Sequence, residues 1–205
     1  MGLMRYVGGQ LHKPAGVGGR LVMFVASRQN DRQYRETESA LGLRDGDAVL
    51  DIGFGNGYLL RRLAGNHGSR FYGVDVSEDM LRVAGRSCRR HIREGRVALS
   101  LGDASRTGFP DGFFDKAYTV NTVYFWPDLG EGFAEAFRVL KPGGLFVNAF
   151  YAKDFLDTLP VARRGYAKRP TERLVEAGEA AGFAVSERAT LAGKACCLIC
   201  QKQEG

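Results

Sequence analysis

From Asp47 onward, short apolar runs alternate with longer amphipathic stretches. The runs "DAVLDI", "RFYGVDV", "RVALSL", "DKAYTV" and "LFVNAF" are bounded by turn residues, and this pattern predicts strands. Between the first two, "YLLRRLA" predicts a helix that ends at "GNHG". After the second strand, Ser77 is placed to cap a helix whose first turn carries Glu78 and Asp79, favourable at its positive end. Leu129, Phe133, Phe137 and Leu140 recur at helical spacing, and this helix is expected to stop at "KPGG", where a glycine takes the left-handed cap. Thr171 opens a further helix through Ala181. "FAVSERATLAGKACCLICQK" reads as two strands joined by a turn around Ala192 and Gly193.

Continuous apolar strands separated by helices predict a parallel sheet covered on both faces. The expected fold is a three-layer α/β sandwich, a Rossmann-like, mostly parallel seven-stranded sheet with an antiparallel C-terminal strand. Before Asp47 the chain is glycine-rich ("GGQLHKPAGVGG") and then predicts two helices. One covers Gly19 to Arg28. The other is capped by Asn30 or Asp31 and sets Tyr34, Thr37 and Leu41 on one face. Residues 1–46 are therefore expected to form a helical cap or arm over the cleft, and 47–205 the main domain.

Composition changes little in this picture. A chain of 205 residues holds one full-sized core. Its apolar runs are too short for a membrane span or a secretory segment, which predicts a cytoplasmic protein. The net charge of +6 raises the question of nucleic acid. The basic pairs are scattered among acids and lack interleaved aromatics, so they read as solvated helix faces. Of the four cysteines, Cys197 and Cys200 form a C-x-x-C. On a strand, residues three apart point to opposite faces, so these two do not share one ion. Cys88, Cys196, Cys197 and Cys200 are all read as core thiols, with no metal site.

Three stretches converge at the carboxyl ends of the strands, where ligands of such sheets sit. They are Asp51 with Gly53, Gly55 and Gly57; Asp75 at the end of the second strand; and Gly102-Asp103-Ala104 after the third. The glycines allow a tight turn and a close approach of ligand to backbone. A carboxylate at Asp51 would repel a pyrophosphate and attract an ammonium. This points to S-adenosylmethionine, with its ammonium, sulfonium, ribose and adenine. The spacing of the glycines also departs from the dinucleotide pattern, with Tyr58 after the third.

The stretches "VLDIGFGNG", "GVDVSEDML", "LGDAS" followed by "FPDGFFDKAYTVNTVYFWPD", and "RVLKPGG" resemble the class I S-adenosylmethionine-dependent methyltransferases over roughly residues 47–202. The likeness is greatest to the small-molecule branch that includes the ubiquinone and menaquinone methyltransferases. The resemblance implies that Asp51 and the Gly53–Gly57 loop hold the methionine part and Asp75 the ribose hydroxyls. It further implies that Val76 and Met80 pack on the adenine, that Asp103 and the Ala104 backbone meet its nitrogens, and that Asn121 lines the methionine side. Phe54 stands where such proteins carry a smaller residue, which is expected to narrow the cleft. Tyr34 is expected near the methionine carboxylate.

The same resemblance puts the methyl acceptor among "NTVYFWP", "LHKPAG" and "FYAKDFLDTLPVARRGYAKRP". The catalytic residue is unknown; Tyr124, Tyr166 and His12 are the candidates, Tyr151 is a further polar group, and Phe125 and Trp126 read either as wall or as core. No N-P-P-Y or D-P-P-Y follows the fourth strand, which argues for a small-molecule acceptor and against nucleic acid. An arsenite-type enzyme would need three thiolates around one ion, against the cysteine geometry. Two alternatives remain open: a dinucleotide-dependent oxidoreductase, and a methyltransferase-like binding protein without activity.

Overall fold

The structure is a computed structural model that describes residues 30–163 and 166–204. His12 and the helix expected at Gly19 to Arg28 lie outside the described residues. The elements are α1 (Asp31–Leu41), β1 (Ala48–Ile52), α2 (Tyr58–Asn66), β2 (Arg70–Asp75), α3 (Glu78–Ser87), α4 (Arg89–Arg93) and β3 (Val97–Leu101). They continue with β4 (Phe114–Val120), α5 (Leu129–Val139), β5 (Leu140–Tyr151), α6 (Lys153–Thr158), α7 (Thr171–Ala180), β6 (Phe183–Thr190) and β7 (Ala195–Lys202). All seven strands join one sheet in the order β3-β2-β1-β4-β5-β7-β6. The β1–β2, β1–β4, β2–β3 and β4–β5 pairs are parallel, and β7 runs antiparallel to both β5 and β6. The expected architecture is the observed one.

Because side chains alternate along a strand, the sheet feeds two cores. Leu50 and Ile52 of β1, Phe146 and Phe150 of β5 and Leu198 of β7 pack with Phe133 of α5 and Leu174 of α7 on one face. Val49, Phe71, Tyr118 and Val147 pack with Leu60 and Leu63 of α2 and Met80 of α3 on the other. Leu41 of α1 belongs to this second core, and Gln33 and Thr37 are buried beside it. Helix α1 thus packs on this face of the sheet. No helix among the described residues is long and apolar enough to cross a membrane.

Two local expectations are met, and one needs correction. Ser77 caps α3, its hydroxyl accepting from Met80 N at 3.3 Å. Asn30 stands at the N-cap of α1, but its side chain instead accepts from the Tyr151 hydroxyl at 2.9 Å. The correction concerns α5, which stops at Val139 and has no glycine cap. Leu140 is already extended and pairs with Phe114 of β4. The carbonyls left open at the helix end find other donors: Gly112 N for Arg138, Phe113 N for Val139, and the Lys202 ammonium for Phe137 and Leu140. Gly143, at positive φ, instead turns the irregular part of β5.

All four cysteines are buried. Cys197 points into the core of α2 and α3, while Cys196 and Cys200 point into the core of α5 and α7. The C-x-x-C pair is therefore split across the sheet. Burial pushes the thiols of Cys88 and Cys197 up to about 11 and that of Cys200 up to about 12. A thiol so far from its thiolate, with no solvent access, reacts slowly. We predict that a maleimide labels none of the four at pH 7.5 in the folded protein and all four in denaturant. Joint fast labelling of Cys197 and Cys200 in the native state would contradict this packing.

Candidate functional site

From β1 the chain moves outward to β2 and β3, then returns to β4 on the other side of β1. The loops that follow β1 and β4 therefore part, and a crevice opens at the carboxyl ends of the strands. A cavity of about 530 Å³ lies there, a size suited to small ligands. Its lining includes Asp51, Gly53, Phe54, Gly55, Asp75, Val76, Met80, Asp103, Ala104, Asn121, Tyr34, Tyr124 and Tyr166. The structure thus brings together the candidate positions from separate elements, apart from His12, which is not described, and Gly57.

Gly57 does not line the cavity. It has φ +72°, and a Cβ there would meet Ala84 Cβ of α3 at 2.9 Å, so this glycine lets α2 approach α3. Gly53 has a different reason. At φ +82°, a Cβ on it would lie 2.5 Å from Thr122 Cγ2, in the loop after β4. The two lips of the crevice touch at this point, and the Thr119 hydroxyl donates to Ile52 O at 2.7 Å just below. Phe54 lines the cleft. Its ring packs over Gly73 of β2 and is only 6% exposed.

Asp51 and Tyr118 are register partners on β1 and β4, and the phenol donates to the carboxyl at 2.8 Å. Burial, more than the nearby Asp75 carboxylate, raises the Asp51 acid to about 8 against the opposing effect of Tyr118. Asp75 is also raised, by desolvation, although Gly55 N donates to one of its oxygens at 2.8 Å and Ser77 N to the other at 2.9 Å. Asp103 closes a turn with Ser105, whose N and hydroxyl both bond to its Oδ1; its Oδ2 has no partner among the described residues. Val76 stands between these acids with its apolar side chain 51% exposed. Met80 is buried beneath.

On the β4–β5 side the lining becomes aromatic and aliphatic: Tyr124, Phe125, Tyr151, Phe155, Leu159 and Tyr166. Tyr124 is fully engaged. Its hydroxyl donates to Asn121 Oδ1 at 3.0 Å and accepts from Tyr151 N. Asn121, at φ +58°, passes the chain on by donating to Gln33 Oε1 of α1 at 2.9 Å. Burial raises the Tyr124 phenol well above its usual range, which keeps its hydroxyl protonated in this pair of bonds. Tyr34 is raised as well, chiefly by burial, and lies against Tyr58 with ring centroids 5.6 Å apart. Trp126 also lines the cavity but is mostly core, 6% exposed against Gly132 and Phe133.

Sequence reasoning passed over Arg169. Its guanidinium donates to Val123 O and Trp126 O, each at 2.9 Å, while Ala167 N donates to Tyr124 O at 3.0 Å. The segment after α6 is thereby stitched to the loop after β4, and the rings of Tyr124 and Tyr166 meet at 5.2 Å. An arginine in a run of basic residues reads as surface charge; only the fold reveals the carbonyls that it serves.

Two outcomes follow. Bonds from a charged donor contribute about 1.5–3 kcal/mol each, so Arg169→Ala should destabilise the loop and red-shift the fluorescence of Trp126, the single tryptophan. Unchanged emission and acrylamide quenching would remove the clasp. For Asp51, the folded acid at about 8 binds a proton that the unfolded chain releases near its ordinary value of 3.8. Its contribution to stability is complete below that lower value and is lost as pH rises through about 8. The excess of wild-type unfolding temperature over that of Asp51→Asn should therefore fall between pH 5 and pH 8, and a flat difference would contradict the assignment.

Residues 50–148 match the family model described as a methyltransferase domain. The uncharacterized methyltransferase YdaC of Bacillus subtilis is 32% identical over 122 residues, 59% of this chain and 65% of YdaC. Phosphoethanolamine N-methyltransferase 2 of Caenorhabditis elegans is 26% identical over 167 residues, 79% of this chain and 38% of that protein. The chain thus spans less than two thirds of each of these relatives. The geranyl diphosphate C-methyltransferase of Streptomyces coelicolor, solved with Mg2+, geranyl diphosphate and S-adenosyl-L-homocysteine, superposes with a TM-score of 0.73 at 17% identity. That alignment covers 86% of this chain and 78% of the other. Over residues 50–148 the chain is therefore similar to methyltransferase domains, and it shares the fold of solved methyltransferases.

Proposed function

We propose that the cavity holds S-adenosylmethionine along the ends of β1, β2 and β3, and that the protein transfers its methyl group to a small-molecule acceptor on the β4–β5 side. The observation that carries this reading is the row of acids Asp51, Asp75 and Asp103 along one wall, with the exposed Val76 between them. A dinucleotide would bring its pyrophosphate against these acids, whereas a ligand with an ammonium and a ribose diol suits them. An ammonium beside Asp51 would favour its ionised form, against the burial that raises it. Each Asp75 oxygen accepts one backbone N–H and keeps capacity for a ribose hydroxyl. Val76 and Met80 offer an apolar seat for adenine, and the free Asp103 Oδ2 can accept from its amine.

When bound, the cofactor supplies an electrophilic sulfonium methyl, so the chain's task is to align the acceptor and exclude water. Tyr34, Tyr58 and Asn121 enclose the methionine end in this reading. Tyr124 fixes the wall through its two hydrogen bonds and takes no proton. The relatives named for phosphoethanolamine and geranyl diphosphate support a small acceptor.

Losing the Asp75 carboxylate removes two charge-assisted bonds to the ribose, so Asp75→Ala should weaken S-adenosylmethionine binding at least about tenfold. Calorimetry with S-adenosylmethionine and NADH on wild type and variant tests this. Unchanged S-adenosylmethionine affinity in the variant, or tighter NADH binding by the wild type, would overturn the cofactor assignment. Transfer of labelled methyl to small-molecule acceptors distinguishes an enzyme from a binding protein.

A further inference from the structure

We infer that the β4–β5 half of the cavity is a subsite for an uncharged, largely apolar ring-bearing acceptor whose one polar group is received by the Tyr166 hydroxyl. The inference rests on the cofactor reading above only in leaving this half to the acceptor.

The sheet order itself sorts the lining. Asp103 follows β3, Asp75 ends β2 and Asp51 lies in β1, whereas Tyr124 follows β4, Tyr151 ends β5, and Phe155, Leu159 and Tyr166 come after it. Among the described residues, no Lys, Arg or His lines the cavity, and its carboxyls are those three acids. A phosphate or carboxylate on the acceptor would meet their field across a space walled by rings, where charge is poorly screened. A flat apolar body instead gains contact with Phe125, Phe155 and the tilted Tyr124–Tyr166 pair.

The three phenols of this wall differ in what remains available. Tyr124 is committed to Asn121 and to Tyr151 N. The Tyr151 hydroxyl donates to Asn30 Oδ1 at 2.9 Å. Tyr166 has no hydrogen-bond partner among the described residues, yet it lines the cavity. Burial pushes its phenol up to about 12, so it stays protonated and donates. It is a specificity residue: it selects an acceptor with a hydroxyl or carbonyl over one without.

Naphthalene, 2-naphthol and 2-naphthyl phosphate serve as probes, titrated by calorimetry and Trp126 fluorescence with and without saturating S-adenosylhomocysteine. One neutral hydrogen bond is equivalent to about three- to tenfold in affinity. Wild type should bind 2-naphthol more tightly than naphthalene by that factor, and 2-naphthyl phosphate at least about tenfold more weakly than 2-naphthol. Tyr166→Phe keeps the ring and should remove the preference for 2-naphthol while leaving naphthalene binding unchanged. Phosphate binding equal to or tighter than 2-naphthol, equal losses for both neutral probes in Tyr166→Phe, or no binding of any probe would each overturn the inference. Failure of S-adenosylhomocysteine to bind counts against the cofactor reading alone, because the probe titrations without it still read the subsite.

Discussion

One buried hydrogen bond sits where the chain's two directions of travel across the sheet begin to diverge. Tyr118 of β4 donates to Asp51 of its register partner strand β1, and neither group has appreciable contact with water. An acid there is costly, as its raised proton affinity records. Its position explains the cost. A polar group at this level interrupts an otherwise apolar strand just before Gly53, where the backbone must leave the sheet. The same carboxyl then faces the cavity with a capacity for positive charge that no apolar residue could offer. The crevice, the close contact of its lips at Gly53 and Thr122, and the acid row beyond them all follow from this junction.

Much of this was legible in the chain because it depends on periodicity and punctuation. Strands β1 to β7 and the long helices carry strong apolar patterns, and Ser77 and the glycines are local signals that the fold respects. What escaped depends on distant partners. The end of α5 could not be placed from "KPGG", since Leu140 pairs with Phe114 and Lys202 reaches the last carbonyls from the far end of the chain. Helices α4 and α6 are too short for a periodic signal. For α1, the common face of Tyr34, Thr37 and Leu41 was readable, whereas the burial of Gln33 depends on Asn121 opposite it. The acidic half of the site was readable as a motif. The aromatic half is not one, because its residues come from separate segments and become a wall only through tertiary packing.

The polarity of the cavity therefore follows strand order rather than sequence order. The ends of β1 to β3, with the loops after them, carry the acids Asp51, Asp75 and Asp103; the end of β5 and the loops after β4 and β5 carry the rings. A single crevice is divided into two chemical environments without any partition between them, and the boundary falls near Asn121, whose amide serves Gln33 on one side and Tyr124 on the other.

The clasp at Arg169 gives the two halves unequal freedom to change. On the acidic side, shape comes from backbone that only glycine can adopt or that approaches too closely for any side chain, so a substitution alters the frame itself. On the aromatic side, the frame is held through main-chain carbonyls of Val123, Tyr124 and Trp126, which every amino acid possesses. The rings that hang from it can be exchanged while the wall stays where it is. Such a wall is open to change: Phe125, Phe155 or Leu159 can be replaced, reshaping the aromatic half, while the glycine-shaped acidic half stays intact.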